Sequence, residues 1–257
     1  MAFAWPRLRA DLLAVLAVFA LLAAAAGWLL GSNGGLRWIT SVAQAQSGGM
    51  LEISGAEGVL FDAFSLQRLV VRGNGWRIEL DALRAEWHPL ALLRGELNVA
   101  VLSARQLDLL TVPGDPSAGG PAAMPATLRL PLALRLDEVR LGTLRWFKRE
   151  DAPPELVARD LHGAYRADKN SHHLRDLRVR FDQGTLQGEV RIGADAPYPV
   201  QAAVAARGDL PLPDQPVEMN ARAEVTGDLA RLEVYAAAAP AGTQINASTH
   251  LNLTAPM

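Results

Sequence analysis

The sequence has no cysteine, few aromatic residues and almost no excess of charge of either sign. Without cysteine, the chain has no disulfide, no thiol nucleophile and no zinc–thiolate site. The formal net charge of −2 gives no basic field of the kind that nucleic-acid-binding proteins use. Half of the 257 residues are nevertheless hydrophobic, which excludes a disordered tail and leaves room for one large β domain or two ordinary ones.

An uncharged apolar run at residues 12–30 follows Arg7 and Arg9. At about 1.5 Å per residue, a helix over this run is about 28 Å long, close to the roughly 30 Å of a bilayer's hydrocarbon core. The two arginines place the N-terminal tail on the cytoplasmic side and the rest of the chain on the far side. We therefore predict a tail and transmembrane signal anchor at residues 1–31, with the anchor residues Leu12, Leu16, Phe19, Leu22, Trp28 and Leu30.

Two other interpretations of this run stay open. Ala24 and Ala26 form an A-x-A-like site, so the run can be a cleaved secretory signal, or it can be a buried helix of a cytosolic protein. The run is longer than the roughly 7 to 15 apolar residues of a signal-peptide core, which favours the uncleaved anchor. The anchor and the cleaved signal both predict that the body of the protein is exported.

Two short helices are predicted after the anchor. A Gly/Ser/Asn joint leads into a juxtamembrane helix at residues 32–47, with Leu36, Ile39 and Val42 or Ala43 on one side. A single helix near residues 89–94 begins at Pro89 and is closed by Gly95.

The rest of the chain alternates between apolar and polar residues, most cleanly in "TQINASTHLNLT". Turn signals at Asn74–Gly75, at residues 182–184 and at residues 226–228 separate the runs. This pattern predicts a mainly β fold with an antiparallel meander. A Pro/Gly-rich linker at residues 113–126 divides it into a β unit, residues 48–112, which contains the short helix, and a strand array, residues 127–257.

Leucine occupies every second position in "TLRLPLALRL", at Leu128, Leu130, Leu132, Leu134 and Leu136. On one strand these five side chains share a face. Either another sheet of an ordinary sandwich or an apolar ligand can cover such a row. The facing of each strand is not fixed by the pattern, because a bulge reverses it, and "LDALRAEW" already changes parity between Ala82 and Leu83.

Catalytic and metal-binding patterns are absent from the sequence. His162, His172 and His173 lie in a polar stretch without the spacing of a zinc site, and we predict a solvated loop or turn there. No nucleophile elbow and no phosphate-binding loop is present. We therefore expect no catalytic residues, no metal site and no cofactor.

The order of features resembles the N-terminal part of the TamB family, which belongs to the AsmA-like, bridge-like lipid-transfer group. The matching text runs from the anchor through "GSNGGLRWI", "GAEGVLFDAFSLQRLVV" and "WHPLALLRGELNVAVLSARQLDLL" to the linker and "LPLALRLDEVRLGTLRW". Later pieces such as "LRVRFDQGTLQGEVRIG" are similar to that family's repeated strand units.

The resemblance implies a curved β-sheet with an apolar inner groove, anchored in the bacterial inner membrane and reaching into the periplasm. Family members move phospholipid toward the outer membrane and support outer-membrane protein assembly with an Omp85-type partner. Phospholipid acyl chains are thus the expected ligand, and nucleic acid is not a partner. The lipid-groove candidates are Leu128, Leu130, Leu132, Leu134, Leu136, Trp87, Leu97, Val99 and Val101.

The chain also departs from that family. TamB proteins are several times longer and contact the outer-membrane partner through a C-terminal region, so we expect this chain, which stops at "NLTAPM", to be truncated. A second resemblance is to the inner-membrane N subunit of type II secretion, which has one anchor and a similar W-x-P-x-x-L-L-x-G-x-L run, and would imply a protein-interaction role. An exported β enzyme with a cleaved signal is the third alternative.

Overall fold

The computed structural model describes residues 27–28, 31–111, 127–210, 217–240 and 245–252. Within them, no helix combines the length and hydrophobicity needed to cross a membrane. Trp28 is described and is 57% exposed. The charges Arg7 and Arg9 and the other predicted anchor residues, Leu12, Leu16, Phe19, Leu22 and Leu30, lie outside the described residues.

The predicted juxtamembrane helix is α1 (Asn33–Gln46). Its N-terminus is capped by Ser32, whose hydroxyl accepts a hydrogen bond from the Gly35 N–H. Gly48 and Gly49 follow the helix with positive φ angles. Leu36 is 2% exposed, so the predicted apolar side of the helix is buried against the first strands.

All described strands belong to one sheet, and they pair in chain order except that β2 is a side branch on β3. The strands are β1 (Leu51–Ser54), β2 (Glu57–Gly58), β3 (Ala63–Gly73), β4 (Trp76–Trp87), β5 (Glu96–Thr111), β6 (Ala133–Phe147), β7 (Leu156–Ala167), β8 (Ser171–Phe181), β9 (Gly184–Gly193), β10 (Pro199–Leu210), β11 (Val217–Asp228), β12 (Arg231–Pro240) and β13 (Ile245–Asn252). The sheet is not closed, since β1 and β13 lie at opposite edges. The mainly β prediction is confirmed, and the described strands do not divide into two sheets.

The antiparallel prediction holds for every strand pair except β5 and β6, which run parallel from Glu96–Ala133 to Leu110–Phe147. The chain leaves β5 at one end of the sheet and enters β6 at the other. A parallel pair needs a crossover of a dozen or more residues, which residues 112–132 supply. Strand β6 therefore runs parallel to β5, and not antiparallel as the sequence predicted, because the connection between the two strands is long.

The predicted turns lie close to their positions in the structure. Asn74 and Gly75 join β3 to β4, with a φ of 76° at Gly75. Asp182 and Gln183 join β8 to β9. The third turn is later than predicted, because β11 continues through Asp228, whose carboxylate accepts hydrogen bonds from the N–H groups of Ala230 and Arg231.

The short helix is a 3₁₀ helix at Pro89–Arg94, closed by Gly95 in the left-handed conformation as predicted. It connects β4 to β5 at one end of the sheet, which we call the helix end; the end with the Asn74–Gly75 turn is the hairpin end. The parity change between Ala82 and Leu83 coincides with a left-handed backbone at Ala82, where φ is 51°.

The prediction that five leucines share one strand is wrong. Strand β6 begins at Ala133, so Leu134 and Leu136 lie in the strand, and Leu128, Leu130 and Leu132 precede it. Pro131 has no N–H to donate to a ladder, and this interrupts the strand pattern. Residues 127–132, which we call the strap, instead lie against the β9–β10 connection, where the Leu128 N–H donates to the Ala194 carbonyl at 2.8 Å.

Candidate functional site

One unbroken row of cross-strand neighbours runs from β4 to β12 on a single face of the sheet. Each residue in the row pairs side by side with the next, so their side chains point to the same side. The row is Trp87, Val99, Leu136, Tyr165, Leu174, Val190, Ala202, Val225 and Val234. Nine strands thus contribute one apolar surface with a single hydroxyl in it.

A second row lies next to the first, toward the helix end of the sheet. It consists of Leu97, Leu134, Ala167, His172, Ile192, Val200, Gly227 and Leu232. On the same face, further apolar rows lie on the hairpin-end side of the first row. One of them consists of Leu177, Gly188, Val204, Ala223 and Ala236. We call these rows together the apolar face.

The opposite side of the same strands is polar. Arg140 contacts Glu138 at 2.7 Å, and the His162 Nε2 lies 3.1 Å from the same carboxylate. Hydrogen bonds from Arg140 and His162 hold the pKa of Glu138 below its ordinary value. Charged residues therefore line the solvated side of the sheet, which we call the polar face, and apolar residues line the other side.

Over β9–β12, the side chains of the first row are half-buried rather than enclosed. Val190, Ala202, Val225 and Val234 all retain part of their accessible surface. The described residues form one sheet, and the described contacts between elements join sheet neighbours or attach the two helices to strands. The apolar face therefore remains open over β9–β12 in the described part of the chain.

The strap, residues 127–132, crosses the helix end of this face. Arg129 forms a two-pronged contact with Asp195, with Nη2 to Oδ2 at 2.7 Å, and Thr127 donates to the Ala194 carbonyl. The hydrogen bond from Arg129 holds the pKa of Asp195 below its ordinary value. Below the strap, Ala167 and Ala194 have no exposed surface.

Tyr165 and His172 are the polar side chains of the two rows. The Tyr165 hydroxyl lies 2.7 Å from His172 Nδ1, and His172 Nε2 lies 2.9 Å from the Leu128 carbonyl of the strap. Both side chains are thus paired within the protein. The prediction of a solvated loop at His162, His172 and His173 is wrong, because His162 lies in β7 and the other two lie in β8. The turn of this hairpin is formed around Asp168, whose carboxylate accepts hydrogen bonds from the Asn170 and Ser171 N–H groups.

The predicted groove residues lie in three places, which are the apolar face, the strap and, for Val101 alone, the polar face. Trp87, Leu97, Val99, Leu134 and Leu136 lie together on the apolar face. Leu128 and Leu130 are half-buried in the strap, and Leu132 is 42% exposed at its end.

Val101 was expected beside Val99, and this is wrong. The register between β4 and β5 shifts by one residue, so Val101 lies between Glu86 and Glu138 on the polar face, and Leu102 takes the place beside Ala85. An extra residue in β5 reverses the facing, and alternation alone does not reveal where that residue lies.

The apolar face contains further residues that the sequence analysis did not name. Leu174, Val190, Ala202, Val225 and Val234 continue the row through later strands. Their signal was present in the alternation of "TLQGEVRIG" and "NARAEVTG". The sequence analysis placed most candidates in one leucine-rich segment, whereas each row of the apolar face takes one residue from each of many strands.

Shallow, open depressions occur on the polar face. One of about 490 Å³ is lined by His162, Arg178, Glu189, Arg222 and neighbours on β8–β11. Across the strands, Arg178 and Arg222 lie in one row and Glu189 and Glu224 in the next, so each row carries charges of one sign. Among the described residues, no group of three His, Asp or Glu side chains is placed to hold a metal ion.

The comparison with protein families gives one match. The family described as TamB, N-terminal domain, matches residues 21–145, from the predicted anchor to β6. No curated protein and no solved structure matches the chain. The resemblance seen in the sequence is thereby confirmed: residues 21–145 match the N-terminal domain of the TamB family.

Proposed function

We propose that this chain is an inner-membrane-anchored periplasmic protein whose apolar face carries phospholipid acyl chains toward the outer membrane. The observation that carries the proposal is the unbroken apolar row from Trp87 to Val234. With about 4.8 Å between neighbouring strands, nine strands extend the surface over about 38 Å perpendicular to the strands. A path of this length accommodates whole acyl chains.

The energetics of lipid transfer explain why such a surface is useful. Each methylene group of an acyl chain that enters water costs about 0.8 kcal/mol, so the barrier for a free diacyl lipid is very large. A continuous apolar surface removes most of that cost without any chemical step. The headgroup remains in water where the apolar face is open, as it is over β9–β12 in the described residues. We further propose that the sheet curves into a groove with the apolar face inside.

The remaining parts of the proposal concern location and partners. Residues 1–31 supply the cytoplasmic tail and anchor, residues 32–47 the juxtamembrane helix, and residues 127–257 continue the strand array beyond the β unit at residues 48–112 and the linker at residues 113–126. Outer-membrane protein assembly with an Omp85-type partner is part of the same proposal. The family match supports these parts.

The type II secretion alternative has no structural observation in its favour. Its W-x-P-x-x-L-L-x-G-x-L run is residues 87–97, which lie inside the TamB match. In the structure this run ends β4, forms the 3₁₀ helix and begins β5. The run is therefore explained as a sheet connection of the TamB domain.

Photo-crosslinking in cells tests the proposal with two adjacent residues of β10. Val204 lies on the apolar face between Gly188 and Ala223, and Ala203 lies on the polar face between Glu189 and Glu224. Each is replaced by p-benzoylphenylalanine in the full chain, and cells labelled with radioactive phosphate are irradiated. We expect a phospholipid adduct at position 204 and none at 203. Equal labelling at both positions, or none at 204, contradicts lipid transport along this face.

A further inference from the structure

Several large apolar side chains are exposed together at the helix end of β3–β6. Leu93 is 86% exposed and Leu90 is 61% exposed, both on the 3₁₀ helix, and Phe61 is 43% exposed in the β2–β3 connection. Leu132, at the end of the strap, is 42% exposed. We call these four residues the apolar tip.

The apolar tip is held by hydrogen bonds and by one buried contact. The Trp87 indole N–H donates to the Leu60 carbonyl, and the Trp87 backbone N–H donates to the Asp62 backbone carbonyl. These two bonds hold the Phe61 loop next to the start of the 3₁₀ helix. The Ala133 N–H donates to the Gly95 carbonyl and brings Leu132 to the end of that helix. Ala91 is 2% exposed, so the helix rests on the sheet through Ala91 and presents its leucines outward.

The direction of α1 relates the apolar tip to the membrane. Arg37, near the start of α1, donates to the Ala56 carbonyl, whereas Gln44, near its end, accepts from the Ile53 N–H. The helix therefore runs antiparallel to β1, and its start lies on the side of Ala56. Residue 56 leads directly into β2 and the Phe61 loop, so α1 begins at the same end of the sheet as the apolar tip.

The chain before α1 supplies the occupant of this surface. The predicted membrane-spanning run ends at Leu30, two residues before the Ser32 cap of α1. A bilayer that holds this run therefore lies close to the helix end of β1–β4. The charged residues Asp62 and Arg94 directly follow Phe61 and Leu93, which fits insertion to the depth of the headgroups and no deeper.

Other connections of the sheet do not share this composition. At the hairpin end, the connection after β6 carries Lys148, Arg149, Glu150 and Asp151. At the helix end, the β7–β8 connection carries Asp168, Lys169 and Asn170. The two most exposed leucines of the described residues, Leu93 and Leu90, thus lie in the part of the helix end nearest the start of α1.

We propose that the apolar tip inserts into the surface of the bilayer that holds the N-terminal anchor, and that it joins this leaflet to the apolar face. The proposal rests on the membrane anchoring in the proposed function. The 3₁₀ helix leads directly into β5, whose Leu97 and Val99 belong to the apolar face. An acyl chain leaving the leaflet at the tip thus reaches the apolar face without crossing a charged row.

The absence of cysteine makes a site-specific test simple. Leu93→Cys, Asn74→Cys and Lys169→Cys are made in the full chain, labelled with the environment-sensitive dye NBD, and reconstituted into phosphatidylethanolamine/phosphatidylglycerol liposomes. We expect the label at position 93 to show blue-shifted emission and several-fold stronger quenching by doxyl-labelled lipids than at positions 74 and 169. Emission at 93 that matches the controls overturns the proposal, and so does a blue shift without lipid quenching, which indicates a protein partner.

A second experiment separates this proposal from the proposed function. Leu90→Ser with Leu93→Ser is expected to reduce the phospholipid adduct at position 204 several-fold, whereas Leu156→Ser, at an exposed residue of the hairpin end, leaves it unchanged. An unchanged adduct in the double variant contradicts the proposal that the apolar tip joins the leaflet to the apolar face, but it remains consistent with lipid transport along that face. Quenching at position 93 without any adduct at 204 supports the membrane contact and contradicts the transport function.

Discussion

The Tyr165 hydroxyl and the His172 Nδ1 atom lie 2.7 Å apart on the apolar face. The other ring nitrogen of His172 faces the Leu128 carbonyl, which can only accept, so Nε2 donates to it, and in this tautomer Nδ1 accepts from the Tyr165 hydroxyl. Burial raises the pKa of Tyr165, which keeps the phenol protonated as a donor. The pair thus satisfies two polar groups on an apolar surface and ties the strap to β8.

We predict that His172→Phe loosens the strap and that Tyr165→Phe does not. His172→Phe keeps a ring on the apolar face but removes the hydrogen bond to the Leu128 carbonyl. One hydrogen bond contributes about 1 kcal/mol, so amide exchange at Leu128 should become about fivefold faster. Tyr165→Phe removes only the donor to Nδ1 and should leave this exchange nearly unchanged. Hydrogen exchange read by mass spectrometry measures both, and equal protection in the two variants contradicts the assigned role of His172.

The ionic contact of the strap gives a prediction about pH. Arg129 lowers the pKa of Asp195 in the folded state, so this contact stabilises the strap above the ordinary aspartate pKa and is lost as the pH falls through the lowered value. Arg129→Gln should raise the Asp195 pKa toward its ordinary value. Carboxyl ¹³C NMR of aspartate-labelled protein measures the titration. Arg72→Gln, which removes the partner of Glu52, is the control and should leave Asp195 unchanged.

Features set by neighbouring residues were predictable from the sequence. The helix expected at residues 32–47 is α1, Asn74–Gly75 marks a hairpin, and Pro89 and Gly95 bound the short helix. Each depends on residues a few positions apart. Local chemistry decides these features, so sequence reading recovers them.

Features that depend on distant partners were not predictable in this way. The parallel pairing of β5 and β6 depends on how a long connection returns, and the place of Leu128 depends on Ala194, far along the chain. Val101 is on the polar face because one extra residue in β5 reverses the facing. The sequence predicted an apolar surface built from alternating strands. Which residues lie on that surface depends on the register between neighbouring strands, which the sequence pattern does not give.

Ala82 gives a prediction about backbone strain. Its φ of 51° is unfavourable for a residue with a Cβ atom, whereas glycine adopts it freely. Ala82→Gly should therefore raise the free energy of unfolding by up to about 1 kcal/mol, and Ala82→Val should lower it by about 1–2 kcal/mol. Ala85→Gly, at a buried position of the same strand, should lower it by about 1 kcal/mol. Urea unfolding followed by tryptophan fluorescence measures these differences, and equal signs for the two glycine variants contradict the assignment.

The decisive prediction uses two alanine pairs that differ only in the face they occupy. Ala206 and Ala238 flank Ala221 on the apolar face, and Ala205 and Ala237 flank Arg222 on the polar face, all on the same three strands. Two aspartates beside Ala221 place charge in the path of acyl chains, and a desolvated carboxylate is costly. Two aspartates beside Arg222 add charge where charge already lies in water.

We therefore expect Ala206→Asp with Ala238→Asp to abolish most of the phospholipid adduct at position 204, and Ala205→Asp with Ala237→Asp to retain it. Both variants should fold, because the apolar face of β10–β12 is half-buried and a carboxylate there still reaches water; circular dichroism and a melting curve check this. If both folded variants retain the adduct, the lipid does not travel along this face. If both lose it, the charge acts through the sheet as a whole, and the distinction between the two faces that underlies the proposed function is wrong.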